Sequence, residues 1–173
     1  NKQMSIGILG SAKRFYNPSS HFNAGANIAE GDYLILTNPE CKHEVDILKG
    51  FDDEFEKNPD IYVICGCQSI DKNDSFNMWY QHSEHRNDCF HFCTAISKIN
   101  YEKIGGFDER FANGYCFDDN AFFERICRAN IKIILRDDLL VIHQWHEKIK
   151  PANWQVLWER NKKLFETEYA DAK

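Results

Sequence analysis

The residues best placed to do chemistry stand in one run. Ile104-Gly105-Gly106-Phe107-Asp108-Glu109-Arg110-Phe111 is followed closely by Gly114-Tyr115-Cys116-Phe117-Asp118-Asp119-Asn120. The paired glycines free the backbone for a tight turn. Asp118 and Asp119 fall where that loop hands over to an apolar helix. Capping and the helix dipole favour carboxylates there, and this is one reading of the pair. The other is proton transfer, because a carboxylate at the mouth of a cleft beside an acidic neighbour has its pKa raised toward the working range.

Cys89, His91 and Cys93 alternate, so on a strand they would share one face. With His143 and His146 they outline a possible zinc protein, although their spacing does not spell out a four-ligand site. A small-residue core face is the simpler reading. The seven cysteines are odd in number and lie largely in apolar runs. That suits reduced, buried thiols and predicts a cytoplasmic protein. With 43% hydrophobic and 14% aromatic residues in 173, the chain reads as one globular domain, its last segment a helix packed on the rest. A net charge of -6 and no basic stripe argue against nucleic acid as a partner. No run is long and apolar enough for a membrane span.

The elements that must position these residues follow from periodicity. Met4–Leu9 reads as a strand and Ser11–Tyr16 as a loop. Pro18-Ser19-Ser20 starts a helix through Ala29 that Gly31 ends. Tyr33–Leu36 is a buried strand opening into Thr37-Asn38-Pro39-Glu40-Cys41-Lys42-His43, and such strand ends are where α/β sheets bind ligands. A second helix is expected from Glu44 to Lys57, then a strand at Ile61–Cys65 and a polar loop at Asp71–Asp74. Met78–His82 is an aromatic patch, Phe90–Ile96 a strand and Tyr101–Gly105 a short helix. A helix at Ala121–Ala129 precedes two strands, Ile131–Leu135 and Leu139–Ile142. Pro151 opens a final helix with an apolar stripe of Trp154, Leu157, Trp158, Leu164 and Phe165. Strands alternating with helices predict an α/β fold.

Four segments, taken in order, resemble the family 2-like GT-A glycosyltransferases. Phe22-Asn23-Ala24-Gly25-Ala26-Asn27-Ile28-Ala29-Glu30-Gly31-Asp32-Tyr33-Leu34 is similar to that family's "RN-x-G-x-x-x-A-x-G-D-Y-L" helix and strand, with Phe22 in place of the arginine. Leu36-Thr37-Asn38-Pro39-Glu40 falls where the family carries its DxD motif, with one carboxylate where two are usual. Gly105-Gly106-Phe107-Asp108-Glu109, with Gly114-Tyr115 and Phe117-Asp118-Asp119, resembles the "GGFDE…G-Y-G-x-E-D" segment. His143-Gln144-Trp145-His146 stands where relatives carry a late metal-binding histidine. The resemblance runs from about Asn17 to His146, the later two thirds of a catalytic domain without its opening nucleoside-binding part.

The resemblance implies a GT-A-like, partial Rossmann-like mixed sheet flanked by helices and truncated at its N-terminus. It implies transfer of a sugar from a nucleotide donor, most readily a UDP-sugar, to a hydroxyl of a glycan or protein, inverting, with Asp119 as base and Asp118 beside it. Asn23, Asn38 and Glu40 would bind the donor, and Asp108, Glu109 and Trp79 the acceptor. Glu40, His143 and His146 would hold Mn²⁺ or Mg²⁺. The missing N-terminal part or a second subunit would complete the domain. Trp145 is expected to pack in the core. A degenerate domain of the same fold, binding carbohydrate or protein without catalysis, is the alternative.

Overall fold

Ile61–Ile70 is buried along nearly its whole length because it runs through the middle of the sheet with both faces covered. The structure, a computed structural model, describes residues 17–148 and 150–169. The expected strand at Met4–Leu9 and loop at Ser11–Tyr16 lie outside them. Along the chain come α1 (Ser19–Ile28), β1 (Tyr33–Thr37), β2 (Cys41–His43), α2 (Ile47–Lys57), β3 (Ile61–Ile70), β4 (Phe76–Gln81) and β5 (Cys93–Ser97). Then follow α3 (Lys98–Lys103), a 3₁₀ turn (Glu109–Asn113), α4 (Asp118–Arg128), β6 (Lys132–His143) and α5 (Trp154–Glu168). Among the described residues the strands form one mixed sheet, ordered β1-β5-β3-β6-β2, with β4 added to the second half of β3. The β3–β6 pair is parallel and the other pairs are antiparallel.

Each face of the sheet has its own core. On one side Ile47, Phe51 and Phe55 of α2 cover Val63, Cys65, Cys67, Cys93, Ala95 and Val141. Gly50 lets Leu139 approach the helix, since a Cβ there would meet the leucine side chain at 2.3 Å. On the other side α1 and α4 cover Leu34, Leu36, Tyr62, Ile64 and Ile96, with Phe107 stacked on Phe122 at 4.1 Å. The alternation of buried Leu34 and Leu36 with exposed Tyr33 and Ile35 is the period-two pattern of a strand covered on one face.

Several boundaries differ from the sequence reading. The strands expected at Ile131–Leu135 and Leu139–Ile142 are one strand, β6. The polar Arg136-Asp137-Asp138 between them is absorbed by a register shift against β3 at Cys65–Cys67. Gly66 permits it, because a Cβ there would lie 3.0 Å from the Asp137 carbonyl oxygen. Of the aromatic patch at Met78–His82, all but His82 belongs to β4, which returns along β3 through a turn whose Asp71 side chain accepts from the Asn73 and Ser75 amides. α2 begins only at Ile47, where Asp46 caps it by accepting from the Lys49 amide. α3 starts earlier than expected, because the Ser97 hydroxyl caps it. The strand expected from Phe90 begins at Cys93, and Cys89 ahead of it takes a left-handed φ of 58°. α5 starts at Trp154, three residues beyond Pro151, whose carbonyl accepts from the Trp154 amide. All seven cysteines are free thiols. No helix among the described residues is long and apolar enough to cross a membrane.

Candidate functional site

Two clusters of histidine and carboxylate lie on either side of the segment that enters β5. The first is assembled by strand pairing. β2 runs antiparallel to the end of β6, with Cys41 opposite His143. The turn Asn38-Pro39-Glu40 delivers Glu40 to the same place, and the Gln144 amide donates to the Glu40 carbonyl at 3.0 Å. Asn38 is pinned through its backbone, donating to Phe92 and accepting from Cys41. His143 Nε2 then lies 3.4 Å from Glu40 Oε1, and the ligand atoms of Glu40, His143 and His146 all fall within 4.8 Å of one another. The hydrogen bond from His143 holds the Glu40 carboxyl below its ordinary range, against the opposing effect of burial. Tyr80 and Phe92 stand edge-on to the His143 ring at 4.9 and 5.9 Å and fix its plane. Tyr80, His143, Trp145 and His146 line a cleft of about 280 Å³. A second, of about 730 Å³, lies across Gln144 and Trp145 and is lined by Lys42, Asp71 and Lys72. Trp145 is 56% exposed between the clefts, not packed in the core, because β6 has ended two residues before it.

The second cluster is His91 with Asp118 and Asp119. Asp118 and Asp119 open α4, but the turn that presents them is strained. Cys116 and Phe117 take consecutive left-handed φ angles of 62° and 69°, which side chains rarely adopt. The strain is held from α5. The buried Asn161 amide donates to the carbonyls of Phe111 and Cys116 at 3.0 and 2.8 Å, and Phe117 packs on Trp158 and Phe165. Gly114 makes room for Asn161, whose Oδ1 would otherwise stand 2.0 Å from a Cβ. Asp118 is buried, while Asp119 keeps part of its side chain in solvent. Burial first, and then the neighbouring Asp119 carboxylate, push Asp118 up to about 7. His91 Nδ1 lies 2.5 Å from Asp119 Oδ1, at ion-pair distance but without the in-line geometry of a hydrogen bond.

The remaining expected site residues are placed as follows. Asn23 joins α1 to the glycine turn. Its carbonyl accepts from the Tyr101 hydroxyl and the Phe107 amide, and its amide donates to the Phe107 carbonyl and to Glu109. Asp108 is buried and bound by Arg110, Arg125 and the Tyr169 hydroxyl, and it caps the 3₁₀ turn. Glu109 is exposed and holds Asn23. Trp79 lies on β4 with its ring against His82 and His85, at 4.2 and 5.6 Å. The set Cys89, His91, Cys93, His143 and His146 does not converge. Cys89 donates to Asn87, and His91 and His143 belong to different clusters.

No protein-family model matches the chain, and no curated protein matches its sequence. Solved structures do match it. The mannosyltransferase PcManGT from Pyrobaculum calidifontis, in complex with GDP-Man and Mn²⁺, aligns with a TM-score of 0.53 at 12% identity over 90% of this chain. The catalytic domain of Drosophila beta1,4-galactosyltransferase 7, in complex with xylobiose, aligns with a TM-score of 0.54 at 14% identity over 86% of this chain. The fold is GT-A-like. The chain spans 43% and 62% of the lengths of these two proteins, about half on average.

In this GT-A-like fold the two clusters differ in what they can hold. Two ligands of one divalent ion, each about 2.1 Å from it, sit roughly 3 Å or more apart. The Glu40–His143 separation of 3.4 Å meets that condition, and carboxylate oxygen with imidazole nitrogen is a donor set Mn²⁺ accepts. The His91–Asp119 contact of 2.5 Å leaves no room for an ion between them. Sequence reasoning did not connect His91 to Asp119, because no spacing links residues from a loop and a distant helix. Asn161 was hidden in the same way on the polar side of a helix.

Proposed function

We propose that this domain transfers a sugar from a nucleotide donor to an acceptor hydroxyl and depends on a divalent metal. The observation that carries the reading is the convergence of Glu40, His143 and His146 beside an open cleft, in a GT-A-like fold. These residues would hold Mn²⁺ or Mg²⁺, which when bound neutralises a leaving diphosphate as a Lewis acid. Asp119, partly exposed at the start of α4, takes the proton of the acceptor hydroxyl. The acceptor oxygen bonds to the anomeric carbon as the bond to the diphosphate oxygen breaks on the opposite face, which inverts the centre. Asn23 and Glu109 brace the glycine turn that carries this half of the site, and Trp145 offers an exposed ring for a sugar face. Donor, acceptor and metal are extended to this chain by analogy with neighbours whose complexes hold GDP-Man, Mn²⁺ and xylobiose.

Calorimetric titration with UDP and with GDP, each with and without Mn²⁺, tests the reading. Metal-dependent binding of either nucleotide is expected. Metal-independent binding of both nucleotides, or binding of neither, would remove it. The lone carboxylate of Asn38-Pro39-Glu40 favours a second reading, a non-catalytic carbohydrate- or protein-binding domain of the same fold. Release of nucleoside diphosphate from GDP-mannose or a UDP-sugar in the presence of acceptor separates the two.

A further inference from the structure

We propose that His91 is a positioning residue for the candidate base, an imidazole built into the core to hold the Asp119 carboxylate from behind and fix its direction. The inference deepens the transferase reading and rests on Asp119 being the base. His91 is 4% exposed and sits among three rings: Phe22 edge-on at 5.0 Å, Phe107 at 4.8 Å and Phe122 at 6.3 Å. Phe22 is the residue that stands in place of the arginine in the motif that α1 resembles. The neighbouring backbone is equally fixed, since Phe92 stacks on Tyr80 and its carbonyl accepts from the Asn38 amide. The ring therefore has little freedom, and its Nδ1 has no hydrogen-bond partner, only the Asp119 oxygen 2.5 Å away.

Burying a polar ring without a partner costs stability that an apolar side chain at the same place would not. Packing alone therefore does not account for histidine here, whereas a charge contact with Asp119 does. The groups facing His91 are consistent with that. From α4 come the carboxylates of Asp118 and Asp119. The rings of Phe22, Phe107 and Phe122 come from α1, the glycine turn and α4. Tyr62, near the pair on β3, is pushed far above its ordinary value by burial and stays neutral. Burial works against a charge on His91, but Asp119 and then Asp118 outweigh it and hold the imidazole above its ordinary value. For the reaction, a base held in one orientation matters because a misplacement of about 1 Å can cost on the order of 100-fold in rate.

The test has two arms. The first needs no turnover: a histidine-selective NMR titration of the whole chain, across the range in which histidine changes charge. His91 is expected to remain imidazolium beyond the ordinary histidine range. In Asp119→Asn it should fall below that range, because burial then meets less opposition. A wild-type His91 that titrates normally and does not respond to Asp119→Asn overturns the inference. The second arm follows nucleoside diphosphate release with Mn²⁺ and the better of GDP-mannose and a UDP-sugar. His91→Gln should lower kcat by about 10- to 100-fold with KM nearly unchanged. The wild-type rate is expected to fall as pH rises through the His91 titration, and His91→Gln should lack that fall. An inactive Asp119→Asn beside a fully active His91→Gln overturns the inference and leaves the transferase reading standing. An active Asp119→Asn removes the base and this inference together.

Discussion

Two clusters of similar composition, Glu40-His143-His146 and His91-Asp118-Asp119, lie back to back across a single loop segment, and they are built for different particles. Their histidine–carboxylate separations are 3.4 Å and 2.5 Å. The wider one leaves room for an ion and the narrower one only for a proton. They are also held differently. Strand register holds the first, with β2 and β6 paired so that Glu40 and His143 meet. A strained turn clamped by α5 holds the second. The lesson is that residue type names neither cluster; the spacing imposed by the backbone decides what each can bind.

The largest effect is expected from Asp119→Asn. Transfer is expected to fall by about 10²- to 10⁴-fold, the range of a lost general base. Calorimetry should find Mn²⁺ binding unchanged, and a simultaneous loss of both would mean that the clusters are not independent. Next, Glu40→Gln or His143→Ala should weaken Mn²⁺ by about 100-fold, comparable to the upper range for disturbed metal shells. The His91 titration should not move, and a moved titration would argue against two separate sites.

Asp118→Asn should change how stability depends on pH. The folded state raises the Asp118 pKa from an unfolded value of 3.8 to about 7, so the native protein binds this proton more tightly than the unfolded chain. Wild-type stability is therefore lost at this site as pH rises between those values. The variant, which cannot ionise, should have the higher Tm above about pH 7, where the wild-type side chain is charged, and lose that advantage in acid. A Tm difference independent of pH would show that Asp118 is not the group that burial perturbs.

The smallest expected effect belongs to Cys116→Gly. A left-handed φ costs a side-chain-bearing residue roughly 1–2 kcal/mol, partly offset by glycine's greater freedom when unfolded. The net gain should be at most about 1 kcal/mol in denaturant unfolding. Destabilisation would mean that the thiol itself supports the turn.

These regions also differ in how far the sequence reveals them. The strands at Tyr33–Leu36 and Ile61–Cys65 stand out because apolar runs between turn residues have few other readings. Glu40 could be placed at a strand end for the same reason, and the structure brings it to His143. The one-strand nature of β6 was not legible, because Arg136-Asp137-Asp138 reads as a turn. Only the glycine across from it on β3 makes the shift possible. His91 reads as a core histidine from its neighbours alone, and its partner arrives from another element. The left-handed Cys116-Phe117 pair contradicts local preference and survives because Asn161 and the aromatic stripe of α5 hold it. Tertiary contacts decided those points, and single-sequence patterns do not contain them.

The dependence on α5 has a consequence for the order in which the domain is made. A chain synthesised from its N-terminus completes β2, β6 and His146 before any of α5 has left the ribosome, and domains tend to fold as their segments emerge. The cation cluster can therefore close while the turn carrying Asp118 and Asp119 still lacks its clamp. Pulse-labelled hydrogen exchange on ribosome-bound chains during synthesis would see that order. The Gln144 amide, bonded to Glu40, should become protected before the Tyr115 amide, bonded to Leu157 of α5. Maturation of this domain would pass through a form that can hold a metal before it can take up a proton.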